Sequence, residues 1–194
     1  MSRRRDTIEA GYFDALYSAD PDPWRFRTSA YEHDKYRATI EALDRPRYAA
    51  ALEVGCAIGV LTRQLAARCD RLLAIDGSSV ALAQAQRDCA ALAHVDFACR
   101  MVPAGFPSGR YDLIVLSEVL YYLTAADLEA VAQRCCDALQ PGGTIVLCHW
   151  LGETDYPLTG DQATDGFAAT ALRRSLVRER LAGEVYRLER FRAP

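Results

Sequence analysis

At 194 residues, with 51% hydrophobic and 25% charged side chains, the chain is long enough to bury one core unaided and suits a single domain with modest appendages. A net charge of -3 gives no electrostatic reason to coat a polyanion, which sets nucleic acid aside as a partner. Seven cysteines without CxxC spacing read as reduced, mostly buried thiols, so no metal site is expected. No apolar run suits a signal peptide or a bilayer span, so the expectation is a cytoplasmic protein without membrane contact, with a monomer favoured.

In chain order, Ile8, Tyr12 and Leu16, then Tyr36, Ile40 and Leu43, carry helical spacing on two segments separated by the breaker-rich run Asp20 to Trp24. These segments form a helical cap over 1–48. Arginine supplies every basic residue but Lys35, which reads, with His33, as part of a solvated helix face. From Ala49 the run AAALEV enters a glycine-bearing turn, a helix carrying Leu61 and Leu65, and the run RLLAID ending at Asp76. That is a strand, a crossover helix and a second strand. Ser78 or Ser79 caps the next helix, which extends to about Cys89, and Val95 to Ala98 is weakly strand-like.

Tyr111 to Ser117 is the clearest buried strand, since consecutive aliphatic residues suit a central parallel position covered on both faces. Thr124 and Asp127 make a capping-box-like start for a helix that Pro141, Gly142 and Gly143 end, after which Thr144 to Trp150 re-enters the sheet. Leu151 to Gly166 is long for a connection and is expected to be a lid loop, followed by a helix. Ser175 to Leu181 and Glu184 to Phe191 read as a terminal antiparallel hairpin, its arginines and glutamates alternating as on a solvated surface. The core therefore spans 49–150, with 151–194 completing one α/β domain.

The sharpest constellation is Glu53, Gly55 and Gly59 in LEVGCAIG, followed by Asp76 in LLAIDGS. Parallel sheets bind ligands at the carboxyl ends of their strands, where glycines let backbone approach closely. The spacing is ExGxxxG, not the dinucleotide GxGxxG, and Glu53 would repel a phosphate while accepting a cationic amino group. Asp76 ends the second strand, where a carboxylate can accept both ribose hydroxyls or simply cap the next helix.

LEVGCAIG, Asp76 and SEVLYYL at the end of the Tyr111 strand together resemble the motif series of class I S-adenosylmethionine-dependent methyltransferases. The resemblance implies a Rossmann-like fold with one mostly parallel seven-stranded sheet, helices on both faces and an antiparallel C-terminal hairpin. It also implies S-adenosyl-L-methionine as cofactor, with Glu53, Gly55, Cys56 and Gly59 around the methionine portion and Asp76 on the ribose. Gly77 and Ser78 would pass near the adenosine, Met101 and Val102 would hold the adenine, and Ser117 and Glu118 would face the transferable methyl. Asp22 to Tyr36 and Cys148 to Phe167 further resemble the NodS nodulation methyltransferases. That implies methyl transfer to the free amine of the terminal glucosamine of a deacetylated chitooligosaccharide; another amine, oxygen or sulfur acceptor, or a non-catalytic cofactor-binding module, stays open.

Transfer from a sulfonium is an in-line displacement that needs positioning, aromatic or carboxylate groups to stabilise the moving positive charge, and a modest proton acceptor. Glu118 and His149, each at the end of an expected strand, are the candidates for orienting the amine and taking its proton. Trp24, Tyr31, Tyr121, Tyr122 and Trp150 are the candidate substrate contacts. Four of these have a plainer reading: Tyr121 and Tyr122 as an aromatic turn, Trp24 as a staple for the cap, His149 as a buried strand-end histidine.

Overall fold

The computed structural model describes residues 3–182 and 185–194, which build one seven-stranded sheet in the order β3-β2-β1-β4-β5-β7-β6. The strands are β1 (Ala51–Val54), β2 (Leu72–Asp76), β3 (Val95–Cys99), β4 (Tyr111–Ser117), β5 (Leu139–Trp150), β6 (Val177–Ala182) and β7 (Tyr186–Arg192). The first five are parallel; β7 runs antiparallel to both β5 and β6. The helices are α1 (Ala10–Ala19), α2 (Ala30–Glu41), α3 (Val60–Ala66), α4 (Ser79–Asp88), α5 (Ala125–Ala138) and α6 (Gly160–Arg173). The strand order reverses at β1, between β2 and β4, so a crevice opens at the carboxyl ends of β1 and β4.

Side-chain alternation assigns the layers. Leu52, Ile114, Leu116, Ile145, Leu147 and Phe191 pack on α5 and α6 through Leu128, Val131 and Phe167. The opposite face presents Ala51, Leu113, Val115, Val146 and Leu188 to α2 and α3 through Tyr36, Leu61 and Leu65. All seven residues of β4 are buried, as its unbroken aliphatic run predicts for a strand covered on both sides. Its Asp112 carboxylate accepts the amides of Ala49 (2.9 Å) and Ala50 (2.8 Å), which fixes the entry of β1 beside it.

Several boundaries differ from the sequence reading. Helix α5 ends at Ala138 and β5 already begins at Leu139, because Pro141 and the two glycines are taken up in a register shift between Tyr111 and Leu113. Thr124 caps α5, but the box is closed by the arm before α1: Thr7 Oγ1 accepts the Thr124 amide (2.9 Å) and donates to Asp127. Helix α6 starts at Gly160, inside the expected loop, with Thr159 and Gln162 forming a reciprocal capping box. The connection that remains, 151–159, is tied down by Arg4 N–H to the Asp155 carbonyl (2.8 Å) and Leu158 N–H to the Tyr121 carbonyl (3.2 Å).

The C-terminal hairpin is solvated along its edge strand β6, as its charges suggest, but not along β7. β7 is an interior strand, and Arg187 and Glu189 are buried in a network with Arg178, Asp161 and Asp165 that joins the hairpin to α6. The expected turn at Gly183 lies outside the described residues. All seven cysteines are free, five of them buried. Among the described residues no helix is long and apolar enough to cross a membrane.

Candidate active site

The turn after β1 is built for close approach. Gly55 (φ 80°) and Cys56 donate to the Ile75 carbonyl at 2.8 and 3.0 Å, so the loop folds back over the end of β2. A Cβ on Gly55 would stand 2.1 Å from Val119 Cγ2, and one on Gly77 would stand 2.0 Å from Met101 Sδ. Asp76 braces the turn: one carboxylate oxygen accepts the Ala57 amide (2.9 Å), the other the Ser78 amide (2.8 Å). Burial raises the Asp76 carboxyl above its ordinary range, and these amides pull it back. Each oxygen keeps a second lone pair for a ligand hydroxyl.

Glu53 is 2% exposed, and its Oε2 has no hydrogen-bond partner among the described residues. Burial, opposed by the Thr62 hydroxyl and reinforced by the Asp76 charge, raises this carboxyl to about 7. An orphaned buried carboxylate beside a glycine turn is a receptor for a cation.

Glu53, Gly55, Cys56, Asp76, Gly77, Met101, Val102, Ser117 and Glu118 line one cavity of about 310 Å³, and so do Trp24, Tyr31, Tyr121, Tyr122 and Trp150. Three expected residues do not. Gly59 (φ 82°) caps α3, and a Cβ there would meet Ala85 Cβ at 3.0 Å, so its smallness serves the packing of α3 on α4. Ser78 is fully buried as the cap of α4, its hydroxyl accepting the Ala81 amide (3.1 Å) and donating to Asp14 (2.6 Å). His149 lies in the core: it is fully buried and its Nε2 accepts the Leu120 amide at 3.1 Å, so that nitrogen carries no proton. Burial pushes it down to about 4, which keeps it neutral. The ring is fully buried outside the cavity, with Nε2 on a backbone amide and Nδ1 without a partner among the described residues, and the plainer reading of His149 as a buried strand-end histidine is the one its geometry fits.

Glu118 ends β4 with φ 59°, a left-handed position that a non-glycine residue holds only when its surroundings enforce it. Three donors do so. Lys35 Nζ reaches Oε1 (2.7 Å), while the Tyr121 hydroxyl (2.6 Å) and the Trp150 amide (2.9 Å) reach Oε2. Lys35, expected on a solvated face, is 1% exposed and also pairs with the buried Glu32 at 3.0 Å. The opposite face of α2 is the solvated one, and His33 is exposed there. Sequence reading also missed Tyr156, whose ring stacks on Tyr121 with centroids 5.4 Å apart. Its signal was its place in the connection after β5, inside the Cys148 to Phe167 segment that carries the family resemblance.

One end of the cavity is thus an acid-and-glycine cradle, the other an aromatic chamber around a clamped carboxylate. The sequence model of nodulation protein S matches residues 15–150, which is most of the chain and all of this cavity's core. The chain belongs to the nodulation protein S family. Nodulation protein S of Bradyrhizobium diazoefficiens is 34% identical over 127 residues, covering 64% of this chain and 61% of that protein. The match therefore spans about three fifths of that relative's length. A candidate methyltransferase from Pseudomonas syringae is 35% identical in structural alignment, with TM-score 0.72 over 84% of this chain and 99% of that one. The N-methyltransferase NodS of Bradyrhizobium japonicum WM9, solved with S-adenosyl-L-homocysteine, aligns with TM-score 0.79 at 24% identity over 95% of this chain and 98% of that one. The fold is that of class I methyltransferases.

Proposed function

We propose that the protein is an S-adenosyl-L-methionine-dependent N-methyltransferase acting on the free amine of an amino sugar, the terminal glucosamine of a deacetylated chitooligosaccharide. The observation that supports it most is Glu53: a buried carboxylate with an oxygen left without a partner among the described residues, at the glycine turn of a family that includes N-methyltransferases.

When bound, S-adenosyl-L-methionine supplies an electrophilic methyl on a sulfonium. Glu53 and the backbone at Gly55 and Cys56 take the amino acid end, a carboxylate opposite an ammonium. Asp76 accepts from ribose hydroxyls through its remaining lone pairs, and Gly77, Met101 and Val102 wall the base. Ser117 and Glu118 stand at the reacting end, where β4 stops.

The acceptor nitrogen must be neutral to attack, and a sugar amine is less basic than lysine, so no strong base is required. Glu118 orients that amine through the one lone pair left on Oε1, stabilises the positive charge gained by nitrogen, and takes its proton after transfer. Tyr121 and Tyr122 offer ring faces to the same charge and Tyr31 and Trp150 frame the entrance for the sugar, while Trp24, packed with Tyr17, Phe26 and Ile58, walls the cavity beside the turn after β1. His149 has no part in this reading.

The test is incubation of purified protein with S-adenosyl-L-methionine and a panel of deacetylated chitooligosaccharides, simple amines and thiols, followed by mass spectrometry. The expected result is one added methyl on the terminal amine of the oligosaccharide. Transfer only to a thiol or hydroxyl acceptor would overturn the amine assignment, and transfer only to other amines the sugar assignment.

A further inference from the structure

The chain contains a single lysine, and it is buried where the helical cap meets the reacting end of the cavity. Its Nζ lies 3.0 Å from Glu32 Oε1 and 2.7 Å from Glu118 Oε1, with the Tyr31 ring centroid 5.1 Å away. Both carboxylates line the cavity and both are largely shielded from solvent, with side-chain exposures of 10% and 16%. Two carboxylates bridged by one ammonium are necessarily close neighbours, and without that ammonium they cannot both stay charged in a shielded site.

We propose that Lys35 is the positioning residue of the acceptor end: its ammonium bridges Glu32 and Glu118 so that the cluster carries one net negative charge and Glu118 keeps its left-handed backbone position facing the cavity. The inference rests on the function proposed above. Its logic is charge balance. A cluster at minus one draws in an amine and becomes neutral as nitrogen gains its positive charge, whereas a neutral cluster would give that charge nothing to lean on.

The phenols, the thiol and the imidazole that face the cluster leave this balance undisturbed near neutral pH. Tyr31 and Tyr36 on α2, Tyr121 after β4 and Cys148 on β5 are all held protonated by burial, and His149 is held neutral. Glu53 on β1 also faces Tyr36 and, raised to about 7 by its own burial, changes charge near neutral pH; it is common to wild type and both variants, so it produces no difference between them. Burial and, to a lesser degree, the Glu118 charge raise Glu32, and Lys35 opposes that rise.

The test compares wild type, Lys35→Met and the double variant Lys35→Met/Glu32→Gln, using the terminal amine of a deacetylated chitooligosaccharide as acceptor. In Lys35→Met the two carboxylates share a proton, so the acidic limb of the pH–kcat profile moves up by about one to three pH units. At a pH one unit below the displaced limb, turnover falls roughly 10-fold. Removing the second carboxylate in the double variant restores a lone anion and returns the limb toward its wild-type position. A merely structural lysine gives no such rescue. Titration of the glutamate carboxyl carbons by NMR in cofactor-free protein should show the same displacement and the same recovery, without any turnover.

An unchanged limb and unchanged carboxyl titration in Lys35→Met, or no recovery in the double variant, overturns the inference. If Lys35→Met is too unstable to purify, the rescue is read as restored folding of the double variant, and a double variant no better than the single overturns it equally. Wild-type protein that binds no S-adenosyl-L-methionine by calorimetry would instead overturn the proposed function, while the NMR titration still decides the charge balance.

Discussion

Glu53→Gln should make the cofactor-free protein more stable and the cofactor-binding protein worse. The carboxyl is raised from 4.5 to about 7, chiefly by complete burial. A folded-state value above the unfolded one means the native protein binds the extra proton between those two pH values, so stability is greatest on the acid side and is lost as pH climbs from about 4.5 through about 7. A displacement of roughly 2.5 pH units at about 1.4 kcal/mol each comes to about 3 kcal/mol. Glutamine has no charge to bury and escapes that loss. Urea denaturation of cofactor-free protein from pH 5.5 to 8.5 should therefore show a falling free energy for wild type and a flatter one for Glu53→Gln, with the variant ahead by up to about 3 kcal/mol at the alkaline end. Calorimetry at the same pH should show cofactor affinity weakened roughly 10-fold to 100-fold, the scale of one charge-assisted hydrogen bond. A variant with the wild-type pH slope, or one less stable than wild type at pH 8.5, would refute the claim that this carboxylate is kept buried for a ligand.

Gly55→Ala forces a Cβ into the left-handed region and against Val119; it should cost about 2 kcal/mol or more in urea denaturation and weaken cofactor binding alongside. Glu118→Gln should lower kcat by about 100-fold while leaving cofactor affinity within about 3-fold, measured by product mass spectrometry and calorimetry together; a kcat loss under 3-fold would remove Glu118 from the reaction. His149→Ala should destabilise by about 2 kcal/mol, since the Leu120 amide loses its acceptor, yet leave turnover per folded molecule within about 3-fold.

The sheet was readable because its strands obey simple rules. Leu113 to Leu116 is aliphatic without interruption, and the strand that carries it proves to be buried on both faces; the pair Glu53 and Gly55 sits where a strand must turn sharply. Where reading went astray, a local pattern carried two meanings. Gly59 belongs to the same glycine spacing as Gly55, but only three-dimensional packing shows that it faces Ala85 and not the cavity. Lys35 looked solvated because charged residues on a helix usually are; its burial depends on Glu118, 83 positions away, arriving from another element. Arg187 and Glu189 misled for the same reason, their alternation with Leu188 being equally natural for an edge strand and for an interior one facing acids on α6. The start of α6 was legible in Thr159 and Gln162, and was overlooked because Gly160 between them speaks against a helix.

The most direct test of the central claim is a calorimetric titration of the purified protein with S-adenosyl-L-homocysteine. The account predicts a saturable one-to-one isotherm that Glu53→Gln weakens and that is matched by a rise in melting temperature. No heat and no thermal shift at millimolar ligand would contradict it.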